Sequence, residues 1–296
     1  MNRSGRRSHL TALLTAMLVC IGLLSLSTAP VWAAAGTITE FSIPPAESDP
    51  VGITAGPDGN LWFTTPINEI GRITTKGLVT GFPIPTANSG LFSITAGPDG
   101  NLWFTEETSN KIGRITTAGL VTEFPLPTTC GFSGGCQPDG ITAGPDGNLW
   151  FTELNGNKIG RITTSGTITG FPIPTANSIP FSITAGPDGN LWFTEYNVGI
   201  IGRITPSGSI TEFHVSPKSS GPFGITAGPD GNLWFTLSFG NSIGRITTGG
   251  SSTLFPLPRT CGNRFGCHPE GITAGPDGNV WFAENRGDKI GRITTQ

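Results

Sequence analysis

The stretch that decides the fold runs from Ile53 to Thr64 and reads Ile-Thr-Ala-Gly-Pro-Asp-Gly-Asn-Leu-Trp-Phe-Thr. Its first eight residues occur six times along the chain. The copies begin at Ile53, Ile94, Ile141, Ile183, Ile225 and Ile272. Successive copies are 41, 47, 42, 42 and 47 residues apart. A period of about 40 to 50 residues is typical of β-propeller blades.

Each copy predicts four short strands. Ile-Thr-Ala is the first, and the Pro-Asp-Gly after it is a turn, because Pro presets φ and Gly accepts a positive φ. Leu-Trp-Phe-Thr is the second strand, Ile-Gly-Arg-Ile-Thr the third, and the segment from Leu78 to Ile84 exemplifies the fourth. A Trp recurs at one position of the second strand and predicts packing between blades. These residues are Trp62, Trp103, Trp150, Trp192, Trp234 and Trp281.

The two ends of the repeat region complement each other. The last copy stops after its third strand, and Gly36–Pro44 has the pattern of a fourth strand. Pairing the two would close a ring and leave no long free edge. We therefore predict an all-β, six-bladed propeller of four-stranded blades over residues 36–296, in which the N-terminal strand completes the last blade.

The composition agrees with this interpretation. The chain has 296 residues, of which 44 are Gly and 25 are Pro, and only 12% are charged. So much Gly and Pro excludes a mostly helical protein, and so few charges exclude a coiled coil.

Residues 1–35 differ from the rest of the chain. Three Arg precede an apolar run from Leu10 to Leu26, and Ala33 to Ala35 provide small residues for cleavage. This order predicts a secretory signal peptide, with an uncleaved membrane anchor as the alternative. Removing the segment changes the formal net charge from −3 to −6 and leaves no basic run. We therefore expect a secreted or extracytoplasmic monomer that binds neither nucleic acid nor, after cleavage, the membrane.

Two insertions each carry a pair of cysteines. Cys130 and Cys136 enclose five residues, as do Cys261 and Cys267. In an oxidising compartment these spacings predict two local disulfides, and the alternative is a thiolate metal site that includes His268.

One repeat position is predicted to ring the mouth of the channel. It lies two residues before the Ile that begins each copy of the repeat. The six residues at this position are Val51, Phe92, Asp139, Phe181, Phe223 and Glu270. Because blades three apart face each other in a six-bladed ring, Asp139 and Glu270 are expected to oppose each other. Apolar walls with a few polar groups suit a small-molecule or cyclic-peptide ligand. The alternative is that both carboxylates only cap their cysteine loops.

Two further sets of residues are notable. His268 is the one His beside this mouth, so it is the candidate general base. Four Glu end second strands, and six Arg recur in third strands, which predicts structural pairing between the two sets. The Glu residues are Glu106, Glu153, Glu195 and Glu284.

The repeat, extended by Asn-Lys-Ile-Gly-Arg-Ile-Thr and Thr-Glu-Phe-Pro-Leu-Pro, closely resembles the streptogramin B lyase (virginiamycin B lyase) family over residues 36–296. The resemblance implies a seven-bladed propeller. It also implies linearisation of cyclic depsipeptides by elimination at an ester, with Mg²⁺ and a general-base His.

The resemblance assigns roles to residues of the last two blades. The family places its His in Glu-Pro-His-Gly, where this chain has His268-Pro269-Glu270-Gly271, so acid and imidazole are exchanged. Glu284 matches a family metal ligand, and Phe223 stands where a second family His contacts substrate. We therefore expect His268 as the base and Glu270 and Glu284 as Mg²⁺ ligands. Asp139, Phe92, Phe181 and Phe223 are expected to contact substrate.

Two classes of function follow. One is a metal-assisted lyase, and the other is a non-catalytic propeller whose Phe-lined funnel binds a ligand or a partner's loop. A hydrolase on the same mouth is a third possibility, although the chain has no Gly-x-Ser-x-Gly motif to support a serine nucleophile.

Overall fold

A computed structural model describes residues 40–44, 49–127, 130, 135–215, 220–258 and 266–295. The chain divides into two units, Met1–Phe41 and Ser42–Gln296. Of the first unit only Glu40 and Phe41 are described, and neither belongs to a strand. The predicted signal peptide, residues 1–35, lies outside the described residues. Within the described ranges, no helix has the length and apolar character needed to cross a membrane.

The described residues of the second unit form six antiparallel sheets. Each strand pairs with its neighbours in sequence; five sheets have four strands, and the last, β21-β22-β23, has three. The predicted all-β propeller class is therefore confirmed. The strands are β1 (Ile53–Ala55), β2 (Leu61–Thr65), β3 (Glu69–Ile73), β4 (Val79–Pro83), β5 (Leu91–Ala96), β6 (Leu102–Glu106), β7 (Lys111–Ile115), β8 (Val121–Pro125), β9 (Pro138–Ala143), β10 (Leu149–Glu153), β11 (Lys158–Ile162), β12 (Ile168–Pro172), β13 (Pro180–Ala185), β14 (Leu191–Glu195), β15 (Ile200–Ile204), β16 (Ile210–His214), β17 (Pro222–Ala227), β18 (Leu233–Leu237), β19 (Ser242–Ile246), β20 (Ser252–Pro256), β21 (Pro269–Ala274), β22 (Val280–Glu284) and β23 (Lys289–Ile293).

Consecutive blades pack through the apolar side chains of their second strands. At the first interface Trp62 packs in one cluster with Leu102 and Phe104 of the next blade, and all three are fully buried. The Gly of the third strand makes room for the Phe, because a Cβ on Gly113 would lie 2.1 Å from the Phe104 ring. The predicted packing role of the Trp residues is confirmed for the five that are at most 1% exposed. They are Trp62, Trp103, Trp150, Trp192 and Trp234.

The Asp of each Pro-Asp-Gly turn has a structural role that the sequence did not reveal. In the second blade Asp99 accepts a hydrogen bond from Nε1 of Trp103 at 3.0 Å and lies 3.9 Å from Arg114. The Arg114 guanidinium also lies 5.6 Å from the centre of the Trp103 ring. Equivalent ion pairs to the turn Asp occur for Arg72, Arg161, Arg245 and Arg292. Five of the six recurring Arg therefore pair with a turn Asp and not, as predicted, with a second-strand Glu.

The predicted closure of the ring by Gly36–Pro44 is tested only at residues 40–44. Residues 36–39 lie outside the described part, residues 40–44 form no strand, and the last sheet ends at its third strand. Ile43 and Pro44 instead line a small cavity with Phe63 and other residues of β2 to β4. These two residues thereby cover part of the outer apolar face of the first blade.

The outer faces of the first and last blades are accordingly exposed. Ile290 in β23 is 69% exposed, although its counterparts in the other blades are fully buried. Ile53 in β1 is 65% exposed, whereas the first-strand Ile94 is 6% exposed. The described blades therefore pack in succession from the first to the sixth without a comparably packed interface between the first and the last.

Candidate functional site

The first strands of the second to sixth blades surround a central cavity of about 230 Å³. Five of the six residues predicted to ring the mouth line this cavity, and Val51, which is 49% exposed, is not among them. The five are Phe92, Asp139, Phe181, Phe223 and Glu270. The structure thus brings the two carboxylates and the three Phe rings to one site.

A Thr on each second strand holds this ring of residues in place. The Oγ1 atom of Thr152 accepts a hydrogen bond from the Gly140 amide of its own blade at 3.0 Å. It donates to the Phe181 carbonyl oxygen of the next blade at 2.8 Å. The same two bonds recur at Thr64, Thr105, Thr194 and Thr236. The acceptors are the backbone carbonyls of the five residues that line the cavity, so hydrogen bonds between blades fix their positions.

Aromatic side chains connect the cavity to His268. The rings of Phe181 and Phe223 have centres 4.1 Å apart, and Tyr196 lies 6.1 Å from Phe223. Phe239 continues the series at 5.7 Å from Tyr196 and 5.2 Å from the His268 ring. Phe92 joins at the other end, 6.0 Å from Phe181.

The sequence analysis missed Tyr196 and Phe239. Tyr196 is the only Tyr of the chain and directly follows a second strand. The corresponding positions after the other second strands are Pro66, Glu107, Leu154, Ser238 and Asn285. Variation at one position within a nearly uniform repeat was the available signal, because a packing role would have kept the position constant.

His268 and Glu270 form a hydrogen-bonded pair at the edge of the site. His268 Nδ1 lies 3.0 Å from Glu270 Oε1, and Nδ2 of Asn285 donates to Glu270 Oε2 at 2.9 Å. The other ring nitrogen, Nε2, is buried and, among the described residues, has no hydrogen-bond partner. Because a carboxylate only accepts hydrogen bonds, the neutral imidazole in this geometry carries its proton on Nδ1 and its lone pair on Nε2.

The backbone explains how His268 reaches this position. Its φ is 55°, and the residues before the first strands of the four preceding blades also have positive φ. They are Gly90, Gln137, Ile179 and Gly221. The His268 carbonyl accepts a hydrogen bond from the Asn285 amide, as its counterparts do in the second to fifth blades. The backbone turn that positions the His268 imidazole is therefore a repeated feature of the blades.

Glu284 and Glu270 belong to neighbouring strands of the last blade. Glu284 ends β22 opposite Pro269 and is buried, while the Glu270 side chain is 27% exposed. Two carboxylates are the donor type that Mg²⁺ prefers when it keeps several waters. Among the described residues, the possible ligand atoms of His268, Glu270 and Glu284 do not all lie close enough to one another to surround a single ion. The donors thus fit a hydrated ion held by carboxylates and do not fit a closed protein cage.

Asp139 lies in a different electrostatic environment. Its side chain is 3% exposed, and burial raises its pKa well above the ordinary range, as does the nearby charge of Glu107. Glu107 itself accepts a hydrogen bond from Nε2 of Gln137 at 3.0 Å. The alternative role as a cap for the cysteine loop has no support in the described residues, because no hydrogen bond joins the Asp139 side chain to residues 130 or 135–137.

The first predicted disulfide is present. Cys130 and Cys136 are bonded, with their Cα atoms 5.2 Å apart. Their sulfurs approach Glu153, which makes the only group of three possible metal-binding side chains among the described residues, but bonded sulfurs are not thiolate ligands. Cys267 is also disulfide-bonded, and its predicted partner Cys261 lies outside the described residues.

Comparisons with known proteins agree with the resemblance. The profile of the virginiamycin B lyase family matches residues 31–135 and 132–296. A structure of selenomethionine-substituted virginiamycin B lyase from Staphylococcus aureus is 44% identical, with a TM-score of 0.81 over 87% of this chain and 85% of that chain. A catalytically inactive histidine-to-alanine variant of that enzyme with quinupristin is 43% identical, with the same TM-score and coverage. A streptogramin B lyase structure is 40% identical, with a TM-score of 0.80 over 87% of this chain and 83% of that chain.

Proposed function

Since the chain belongs to the virginiamycin B lyase family, we propose that it is a secreted enzyme that linearises streptogramin B-type cyclic depsipeptides by metal-assisted elimination. The lyase-like propeller is common to the chain and its relatives. The reaction, the substrate and secretion are the proposal. One observation carries it: the hydrogen-bonded series His268–Glu270–Asn285 at the edge of an aromatic cavity.

In this proposal His268 is the general base. Glu270 holds the Nδ1 proton, so Nε2 takes a proton from the carbon next to the ester-bearing carbon of the substrate. The electron pair of that C–H bond forms a C=C bond, and the ester C–O bond breaks to release a carboxylate. The substrate must displace Phe239, whose ring lies against His268 and is 47% exposed, to reach Nε2.

Other residues bind and orient. Glu270 and Glu284 would hold Mg²⁺, with Asp139 assisting through water, and the bound ion would supply Lewis-acid polarisation of the ester carbonyl. The rings of Phe92, Phe181 and Phe223 provide the apolar surface on which the substrate macrocycle rests.

The test is a mass-spectrometric assay of the purified protein with a streptogramin B and Mg²⁺. Elimination opens the ring without changing the mass, whereas hydrolysis adds the mass of one water, so the product also separates a lyase from a hydrolase. We expect His268→Ala to slow ring opening by about 100-fold or more. His214→Ala, in an outer strand, is the matched control and should keep the parent rate. Absence of ring opening, or a hydrolysis product, contradicts the proposal.

The alternative is a non-catalytic ligand-binding propeller. The observation that favours it is the close contact between Phe181 and Phe223, the latter standing where the family has a second His. A thermal shift with Mg²⁺ that disappears in Glu270→Gln supports the enzyme. Indifference to Mg²⁺, together with ligand binding that is lost in Phe223→Ala, supports the binding protein.

Secretion is part of the proposal. The disulfide Cys130–Cys136 supports an oxidising, extracytoplasmic location, because cytosolic thiols are kept reduced. The signal peptide predicted at residues 1–35 is consistent with the same location. Fractionation of the source cells, followed by N-terminal sequencing of the mature protein, tests both points.

A further inference from the structure

Asp139 is a buried carboxyl group that the proposed reaction uses only indirectly. Its side chain is 3% exposed and lines the central cavity from the third blade. Among the described residues it makes no ion pair, and its side chain accepts no hydrogen bond. Burying a carboxyl group without a partner is costly unless a ligand supplies the partner.

The walls around Asp139 select the kind of partner. The half-buried rings of Phe92, Phe181 and Phe223 line the same cavity, and the faces of aromatic rings attract cations. The charge of Glu107 also acts on Asp139. A negative Glu107 repels an anionic ligand group and attracts a cationic one, and a cationic group favours ionisation of Asp139.

We propose that the Asp139 side of the cavity binds a protonated amine carried on an aromatic body. The ammonium group would donate a hydrogen bond to the Asp139 carboxylate, and the aromatic body would pack on the Phe rings. This subsite shares the cavity with Glu270, but its charged group is Asp139 of the third blade and not the His268–Glu270 pair of the last blade. It therefore adds a ligand class to the proposed function and does not depend on turnover.

The proposal has a proton signature. Burial and the Glu107 charge raise the pKa of Asp139 well above the ordinary range, which favours the protonated carboxyl group in the free cavity. Binding of an ammonium group ionises it, and the O–H proton passes to the buffer. A neutral ligand that accepts a hydrogen bond from the carboxyl group would release no proton.

The experiment is isothermal titration of the purified protein with benzylammonium and with benzyl alcohol, which have nearly the same size and differ in charge. Neither probe has an ester, so the outcome is independent of lyase activity. We expect benzylammonium to bind about tenfold more tightly than benzyl alcohol. We also expect its binding heat to vary among buffers of different ionisation enthalpy, in the sense of proton release.

Two variants make the result specific. Asp139→Asn should remove both the tenfold preference and the proton release, and thermal melting checks that this variant is folded. Glu69→Gln, which removes one negative charge from the first blade outside the cavity, should retain both. Equal binding of the two probes overturns the proposal, and so does benzylammonium binding without proton release. If the Asp139 variant does not fold, the proton measurement on the parent protein still tests the proposal.

Discussion

At the scale of single residues, the pKa of a buried Glu at the end of a second strand depends on the residue that begins the third strand of the same blade. In the second blade Nζ of Lys111 lies 2.6 Å from Glu123, close to Glu106. The fourth blade has the same two acids, Glu195 in β14 and Glu212 in the outer strand β16, but Ile200 replaces the Lys. Burial, then the charge of that second acid, raises the pKa of Glu195 to about 8.

The first prediction concerns the pH dependence of stability. Because the folded state keeps the Glu195 proton up to about pH 8, while an unfolded Glu loses it near its ordinary pKa, the folded state binds more protons between those values. The free energy of unfolding should therefore fall as pH rises from 5 to 8, by up to about 1.4 kcal/mol per pH unit for this group. Urea denaturation at pH 5, 6.5 and 8 measures it.

The control for this prediction is Glu195→Gln, which keeps the shape of the side chain and cannot ionise. It should flatten the pH profile, with a residual slope from Glu106, whose pKa burial raises to about 7. A parent protein whose stability rises or stays constant over this range would show that Glu195 is not held protonated.

At the scale of strands, the hydrogen-bonding Thr of the second strand joins one blade to the next and sets the wall of the cavity. The last blade has Ala283 at this position, where no further described blade offers a carbonyl. A Thr therefore occupies this position where the next blade offers a carbonyl oxygen to its hydroxyl, and Ala occupies it where no described blade does.

The second prediction is that Thr152→Val lowers the free energy of unfolding by about 1–3 kcal/mol, because the Gly140 amide and the Phe181 carbonyl lose their partner. Urea denaturation gives the change directly. Thr152→Ser keeps the hydroxyl and should cost less, and a cost for Val no larger than for Ser would argue against the role of the hydroxyl. Because Phe181 lines the central cavity and loses this hydrogen bond, the affinity for a ligand in that cavity should fall as well.

At the scale of the whole second unit, the six blades do not bury their apolar surface equally. The four inner blades are covered on both faces, whereas the outer faces of the first and last blades are exposed. Ile43 and Pro44 cover part of the first blade. Trp281 of the last blade is only partly buried, unlike its counterparts.

The third prediction compares one substitution at two equivalent positions. Ile243→Ala should cost about 2–5 kcal/mol, because Ile243 is fully buried between blades. Ile290→Ala should change stability by less than about 0.5 kcal/mol, because Ile290 is 69% exposed. Denaturation of both variants beside the parent measures the difference. A large cost at Ile290 would mean that another segment of the chain covers the last blade in solution.

The propeller class, the strand order within each blade, the first disulfide and five of the six positions predicted around the cavity could be predicted from the sequence alone. These features depend on local patterns that repeat: turn residues, strand alternation and a constant spacing. Tertiary contacts were needed to show how Glu270 holds His268, which aromatic residues connect the cavity to that His, that Arg pairs with the turn Asp, and where Ile43 and Pro44 lie. Those features depend on contacts between residues far apart in sequence, and a repeat that is nearly uniform carries no information about which of its variable positions meet.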